Sequence, residues 1–348
     1  MSRWVIALLL VCCWGPTVSA QLRTPVLAQT RRAPAAPGGE GPAFTRREHR
    51  EHRHDAEPFI EEEDETQPAI DFALDVVVGF GRVPAVTEIP ARENADEVES
   101  RLEQARVTSE SVVITGGYEF GHRVGIELRV PLAYGRIDPR GPMNRSVFAL
   151  GNLELEGEYA ILLSHDLQIN FEVGVAVPTA QGQEVPEAAE RRREPVSAGG
   201  QDALDQGAIL RAAAASRGFE DEALFEVDRV GIVPKVSLDF HHGRWLLGPF
   251  LKLENLLYTG DEPGVKPLIE LLLGGYAGVM LSHVFELRTR LWCDVVLEGQ
   301  GSSVAIVEPQ LAAHLHAFRF AIGGIVPVIG GLTDPRFGGL RALASLRI

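Results

Sequence analysis

Three times between residues 123 and 177 the chain alternates apolar and polar side chains over ten residues or more, and few folds accept that pattern at such length. In the first run Val124, Ile126, Leu128, Val130, Leu132 and Tyr134 share one face, while Arg123, Gly125, Glu127, Arg129, Pro131 and Ala133 share the other. In the second, Leu153, Leu155, Gly157, Tyr159 and Ile161 oppose Asn152, Glu154, Glu156, Glu158 and Ala160. In the third, Leu167, Ile169, Phe171, Val173, Val175 and Val177 oppose Asp166, Gln168, Asn170, Glu172, Gly174 and Ala176. A period of two is a β-strand, whose successive side chains point to opposite faces. Strands of soluble sandwiches run to about five or six residues. A tilted strand that crosses a bilayer needs about nine to eleven. One face here is apolar throughout and the other carries carboxylates, which suits a barrel with lipid outside and water inside.

The same reading places twelve candidate strands, at 71–81, 111–120, 123–134, 152–161, 166–177, 229–240, 244–258, 267–281, 283–297, 304–316, 318–329 and 340–348. The strands at 244–258, 267–281 and 304–316 carry apolar residues on both faces. Connections alternate short and long. The short ones fall near His122, His165, His241 and His242, His283 and His316; the long ones cover 82–110, 136–147, 181–222, 259–266, 298–302 and 330–338. Tight turns on one rim and longer loops on the other are the signature of a transmembrane up-and-down antiparallel barrel with an even strand count. Aromatics are few, with Tyr134 and Tyr258 near the long-loop ends, Tyr118 and Trp245 near the short-turn ends. The fold expected is therefore all-β, a transmembrane antiparallel barrel of about twelve strands.

Residues 1–20 read as a secretory signal: Arg3, an apolar run from Val5 to Trp14, and small residues at Val18-Ser19-Ala20. Cys12 and Cys13 leave with it, and the remaining Cys293 can form no internal disulfide. No later stretch has about 18 unbroken apolar residues, so a membrane crossing has to be made by strands closed into a barrel. Residues 21–69 lose apolar periodicity and read as a disordered periplasmic extension. It holds a basic patch with His49, His52 and His54 and an acidic one at Glu61 to Glu65. The barrel is assigned to 70–348. The net charge of -15 disfavours nucleic acid as a partner. Export plus a barrel places the chain in the outer membrane of a Gram-negative envelope. The lipid bilayer, small solutes and the barrel-assembly machinery are its expected partners.

Tyr118-Glu119-Phe120-Gly121-His122-Arg123-Val124-Gly125-Ile126-Glu127, then Val130-Pro131, Leu150-Gly151-Asn152-Leu153-Glu154-Leu155, Tyr159 and the run Val173 to Thr179 carry a resemblance. They are similar to outer-membrane β-barrel transporter-like proteins associated with the meta pathway of phenol degradation. The resemblance is densest over 110–182 and consists of turn and strand grammar without reactive residues. It implies a small-molecule outer-membrane channel.

The polar face supplies the functional candidates. Glu127, Arg129, Glu154, Glu156, Glu158, Glu172, Arg288, Arg290, Arg319 and Arg341 are expected to face the lumen, with Arg123, Asp166 and Arg347 on the same faces. Charges are not left unpaired in a dry interior, so the lumen is either wet or filled with ion pairs. A ring of acids facing arginines would set a transverse field of the kind found in selective pores. The main reading is passive passage of small solutes; a non-conducting barrel anchoring the N-terminal tether is the alternative. The segment 202–216, Ala-rich and preceded by Arg191-Arg192-Arg193, has good helix propensity. Asp202 could cap it, and it could fold inward or stay outside as a loop. A lipid-modifying enzyme would need a serine, a histidine and an orienting acid in reach. Ser164-His165 and Ser282-His283 sit at presumed turns with no such acid evident. No enzyme, no cofactor and no metal site is expected.

Overall fold

A computed structural model describes residues 69–90, 98–120, 123–138, 145–183, 201–260, 265–299, 303–329 and 337–348. The signal segment and the extension up to residue 68 lie outside the described residues, as do His122 and Arg191-Arg192-Arg193.

The strands are β1 (Ala69–Pro90), β2 (Val98–Phe120), β3 (Val124–Asp138), β4 (Arg145–Leu150), β5 (Leu153–Ser164), β6 (Leu167–Val177), β7 (Arg229–His242), β8 (Trp245–Tyr258), β9 (Leu268–Met280), β10 (Phe285–Glu298), β11 (Val304–Leu315), β12 (Phe318–Ile329) and β13 (Gly338–Arg347). Each pairs antiparallel with its neighbour, and β1 pairs with β13, so the sheet closes on itself. The short β4 pairs with the upper half of β3 and β5 with the lower half. Together they fill one strand position, giving a closed barrel of twelve positions. Closure removes the edges that lipid could not hydrate. Ile70 and Ile348 exchange backbone hydrogen bonds at 3.0 and 2.9 Å at the seam. Both ends of the barrel chain therefore lie at the short-turn rim.

The apolar faces point outward, where Phe72, Leu155 and Ile322 are 51%, 57% and 63% exposed. A continuous apolar band of this kind is stable only against hydrocarbon. The short-turn rim carries exposed Phe120, Trp245, Phe285 and Phe318, three of them phenylalanines outside the Tyr and Trp positions expected from sequence.

Three sequence expectations are corrected. The first concerns 82–110, expected as a loop. It is the far part of a continuous β1–β2 hairpin, paired up to Pro90↔Val98. Among the described residues the β1–β13 pairing stops at Phe80↔Gly338, so the upper hairpin needs no apolar face toward lipid, although Val83 and Ala105 are buried on its other face. That is why the long alternation ends there, and why Pro84 and Pro90 are tolerated on a strand with one edge unpaired among the described residues. The second concerns 145–150, a strand that begins inside the loop expected at 136–147 and runs on through residues given no element. The third concerns Arg123 and Asp166, expected on the lumen face. Both sit in tight turns at the rim, Arg123 exposed and Asp166 half-buried.

Candidate functional site

The interior is occupied. After β6 the chain enters the barrel as α1 (Gln201–Ser216), turns through Arg217–Asp221, makes a short 3-10 turn (Glu222–Leu224) and rejoins the wall at β7. Asp202 lies within the first turn of α1 rather than before it, so its charge meets the helix dipole instead of capping. Ala208, Ile209, Leu210 and Ala212 to Ala215 are buried against Val83, Ala105, Val107, Val113, Ala133, Ile137 and Ala149 of β1 to β4. Small residues let the helix lie close to the wall. The helix ends at Gly218, whose φ of 70° is left-handed and whose Cβ, if present, would stand 2.7 Å from the Trp292 ring. The Gly218 carbonyl accepts a hydrogen bond from Trp292 Nε1 at 2.9 Å. On the far side, Phe219 packs with Val77, Phe250, Leu272, Trp292, Val304, Ile306 and Ile325. The inward apolar residues of β8, β9 and β11 thus face the plug, which explains strands that read as apolar on both sides.

The turn Arg217–Asp221 is the electrostatic hub. Arg217, fully buried, donates from Nε to Asp221 at 2.9 Å and also pairs with Asp75 of β1. Asp221 accepts from Arg129 at 2.6 Å, and Arg129 also holds Glu154 at 2.8 Å. Glu220 accepts from Arg290 at 2.6 Å and Arg341 at 3.2 Å. Arg341 reaches Asp75 at 2.5 Å, and Arg290 reaches Glu308 at 2.6 Å. Lys252 pairs with Glu254 at 2.5 Å and donates to the Glu220 carbonyl. Plug and wall are thus tied by charges from β1, β3, β8, β10 and β13.

Below the hub the candidate residues divide between two walls. Register sets Arg129 opposite Glu154, Glu127 opposite Glu156, Glu158 opposite Glu172 and Glu172 opposite Lys235, with Lys235 bonded to Glu172 at 2.7 Å. Arg288, Arg290, Arg319 and Arg341 come from β10, β12 and β13. In the ring, β5 and β6 lie diametrically across from β11 and β12. The candidate acids of β5 and β6 thus face the candidate arginines of β10, β12 and β13 across the barrel, with Arg129 and Lys235 set among the acids and Glu286 and Glu308 among the arginines. Below the hub is a cavity lined by Glu127, Arg129, Glu154, Glu156, Glu172, Lys235, Lys252 and Arg341 and capped by Glu220 and Asp221. It shares Ala73, Thr115 and Glu127 with a cleft that includes His316 and Ala317 of a short turn.

Sequence reasoning missed Asp75, Asn152, Arg217, Glu220, Asp221, Lys252 and Glu308. Asp75 and Glu308 were legible as acids on polar strand faces. The others depend on where the plug lies. Asn152, fully buried at the β4–β5 break, donates from its amide to the carbonyls of Ala223 at 2.9 Å and Glu226 at 2.6 Å. Its Oδ1 accepts from Ala180 N at 2.9 Å, and its own N–H donates to the Leu224 carbonyl at 2.7 Å. A Cβ on Gly151 would sit 2.3 Å from that same carbonyl. The strand breaks where the plug docks.

Three carboxylates, Glu222 of the plug, Glu270 of β9 and Asp294 of β10, are buried with donor atoms within 4.8 Å of one another. Among the described residues this group has a spacing that could hold a metal ion, a grouping the sequence did not suggest.

At the short-turn rim Asp166 accepts hydrogen bonds from His242 at 2.9 Å and His165 at 2.6 Å. Ser164 Oγ accepts from the Asp166 N–H, so the adjacent Ser–His pair is part of a turn. The bonds from His242 and then His165 hold the Asp166 carboxyl below the ordinary carboxylate range. A depressed folded value means that this tie is present above the pH at which a free aspartate ionises. It is lost as pH falls through the lower folded value. Carboxyl ¹³C NMR should show Asp166 titrating below a free aspartate, and His242→Ala should move it up.

No family model matches the chain, and no curated protein matches it. Among solved structures, an outer membrane channel from Pseudomonas putida F1 superposes with a TM-score of 0.51 at 10% identity, over 84% of this chain and 100% of that one. The deltaS2 mutant of the TodX monoaromatic hydrocarbon channel gives a TM-score of 0.40 at 9% identity, over 80% of this chain and 90% of that one. The translocator domain of the autotransporter NalP from Neisseria meningitidis gives 0.40 at 8%, over 82% and 90%. Only the first likeness bears on the architecture, and at that identity it is one of fold: this chain is a closed, antiparallel transmembrane β-barrel.

Proposed function

We propose that the protein is an outer-membrane channel for small solutes, closed in this conformation by its own inward segment. In this reading the signal segment exports the chain to the outer membrane, with the short turns, both ends of the barrel chain and the extension at 21–69 on the periplasmic side. The observation that carries the reading is a cavity lined by Glu127, Glu154, Glu156 and Glu172 together with Arg129, Lys235, Lys252 and Arg341, which shares Ala73, Thr115 and Glu127 with a cleft at the short-turn rim and is capped by Glu220 and Asp221 of a segment that is not part of the wall. A barrel that only anchors a tether has no need of a chamber with a transverse field. Solute passage requires α1 and the 217–221 turn to shift. Plug motion is the gate, and Glu127, Arg129, Glu154, Glu156, Glu158, Glu172, Arg288, Arg290, Arg319 and Arg341 line the route.

The second reading, a non-conducting structural barrel, draws support from the density of ion pairs around Arg217 and Asp221. Planar-bilayer recording with refolded mature protein separates the two. The channel reading expects discrete conductance steps, and neutralising Glu154, Glu156 and Glu158 together to glutamine should reduce preference for cations. Silent bilayers from a correctly folded barrel, for wild type and for plug-loosened variants alike, would establish the structural reading instead.

A further inference from the structure

Arg288 of β10 and Arg319 of β12 are 1% and 4% exposed. Arg288 spends only its Nε, on Glu286. Its Nη1 and Nη2 find no hydrogen-bond partner among the described residues, nor do Nε, Nη1 and Nη2 of Arg319. The nearest acid to Arg319 is again Glu286, whose Oε2 stands 3.9 Å away, too far for a hydrogen bond. That oxygen is already taken by His314 Nε2 at 2.9 Å, and the other by Arg288. Both Glu286 oxygens are thus engaged elsewhere, and five donor nitrogens on two buried guanidinium groups remain unspent. The Arg288 guanidinium lies 4.0 Å from the centre of the Tyr276 ring, and Tyr276 is fixed in turn by its hydroxyl donating to Asp239 at 2.7 Å. The donors are thus held in place before anything arrives. Arg319 and His314 both line the cleft at the short-turn rim, which gives the Arg319 side of the site an entrance.

Buried guanidinium donors without acceptors are costly, and the partner that best matches two planar forks is a planar group with two anionic oxygens. We propose that Arg288 and Arg319 form a binding site for a small monocarboxylate entering from the short-turn side. Glu286, beside both arginines, opposes a dianion such as hydrogen phosphate and so selects the single charge. Arg319 and Arg288 bind, Glu286 and His314 position, and the Tyr276 ring keeps the Arg288 plane fixed. This rests on the channel reading only in naming its solute class; the binding site itself needs no conduction.

The test uses refolded mature barrel in detergent, with heat-dependent gel mobility confirming the fold of each variant. Line broadening of 4-fluorobenzoate in ¹⁹F NMR reports binding, with acetate and inorganic phosphate as competitors. Wild type should broaden the signal, and acetate should compete better than phosphate. Arg319→Gln and Arg288→Gln should each weaken binding by about tenfold or more. Arg123→Gln, at an exposed turn, should leave it unchanged. Where a glutamine variant fails to fold, Arg319→Lys, which keeps the charge and loses the fork, should still weaken binding several-fold. Absence of broadening by folded wild type, indifference to both arginine substitutions, or preference for phosphate overturns the proposal. A barrel that binds benzoate yet stays silent in bilayers would sink the channel reading and leave this site standing. One that conducts and does not bind would do the reverse.

Discussion

Asn152→Leu is expected to convert a mostly closed barrel into one that opens readily. The residue supplies two donors and one acceptor to the plug side of the lumen, at 2.9, 2.6 and 2.9 Å. Leucine is close in size and removes all three, leaving the Ala223 and Glu226 carbonyls and the Ala180 N–H without their partner. Each orphaned buried group costs about 1–3 kcal/mol, and the Glu226 and Ala180 groups are only partly buried, so the docked state loses roughly 3–6 kcal/mol. A shift of that size moves a two-state equilibrium by roughly two to four orders of magnitude. The barrel wall keeps its other backbone pairing, so heat-dependent gel mobility should still report a folded barrel. Open probability in single-channel recording, or the rate of small-sugar swelling of proteoliposomes, should rise tenfold or more. Unchanged closure would show that the plug is held by its apolar contacts with β1 to β4 and that Asn152 only tidies the strand break.

The second large effect is on stability. Arg217→Met removes a fully buried cation that pairs with Asp75 and Asp221. Breaking one side of a buried pair costs about 3–5 kcal/mol, because the partner charge stays behind. Arg341 still holds Asp75 and Arg129 still holds Asp221, which places the expected loss at the lower end. Urea unfolding in detergent micelles, followed by the fluorescence of Trp292 beside Gly218, should show an earlier midpoint. Replacing Asp221 with leucine in the same chain should recover part of the loss, since one of the two acids that Arg217 balanced is then gone. Purely additive losses in the two single variants and the double would mean that the two residues do not act as a pair.

Much of this architecture was readable without coordinates, and the reason is the bilayer. Lipid outside a barrel forces every second residue of every crossing strand to be apolar. The alternation at Val124 to Tyr134 or Leu167 to Val177 is therefore written by the membrane itself. Where the membrane ends, the writing ends. The upper β1–β2 hairpin and β4 carry no such constraint and went unread. The inward polarity of Glu154, Glu172 or Arg290 followed from the same alternation, but the pairing partners did not.

Sequence alone determined the twelve lipid-crossing strands, their phase, the alternation of short and long connections and the helix propensity of 202–216. Tertiary structure decided that the helix lies inside, that Arg217, Glu220 and Asp221 gather charges from five strands, and that Asn152 breaks a strand to hold them. The physical reason is range. Strand phase is a local property, fixed by which side of each residue meets lipid. The docking of the plug depends on residues far apart in the chain, such as Arg341 and Asp75, that only barrel closure brings within 2.5 Å. The apolar inward faces of β8, β9 and β11 were the one local trace of that filling, and they become intelligible only once the plug is in place.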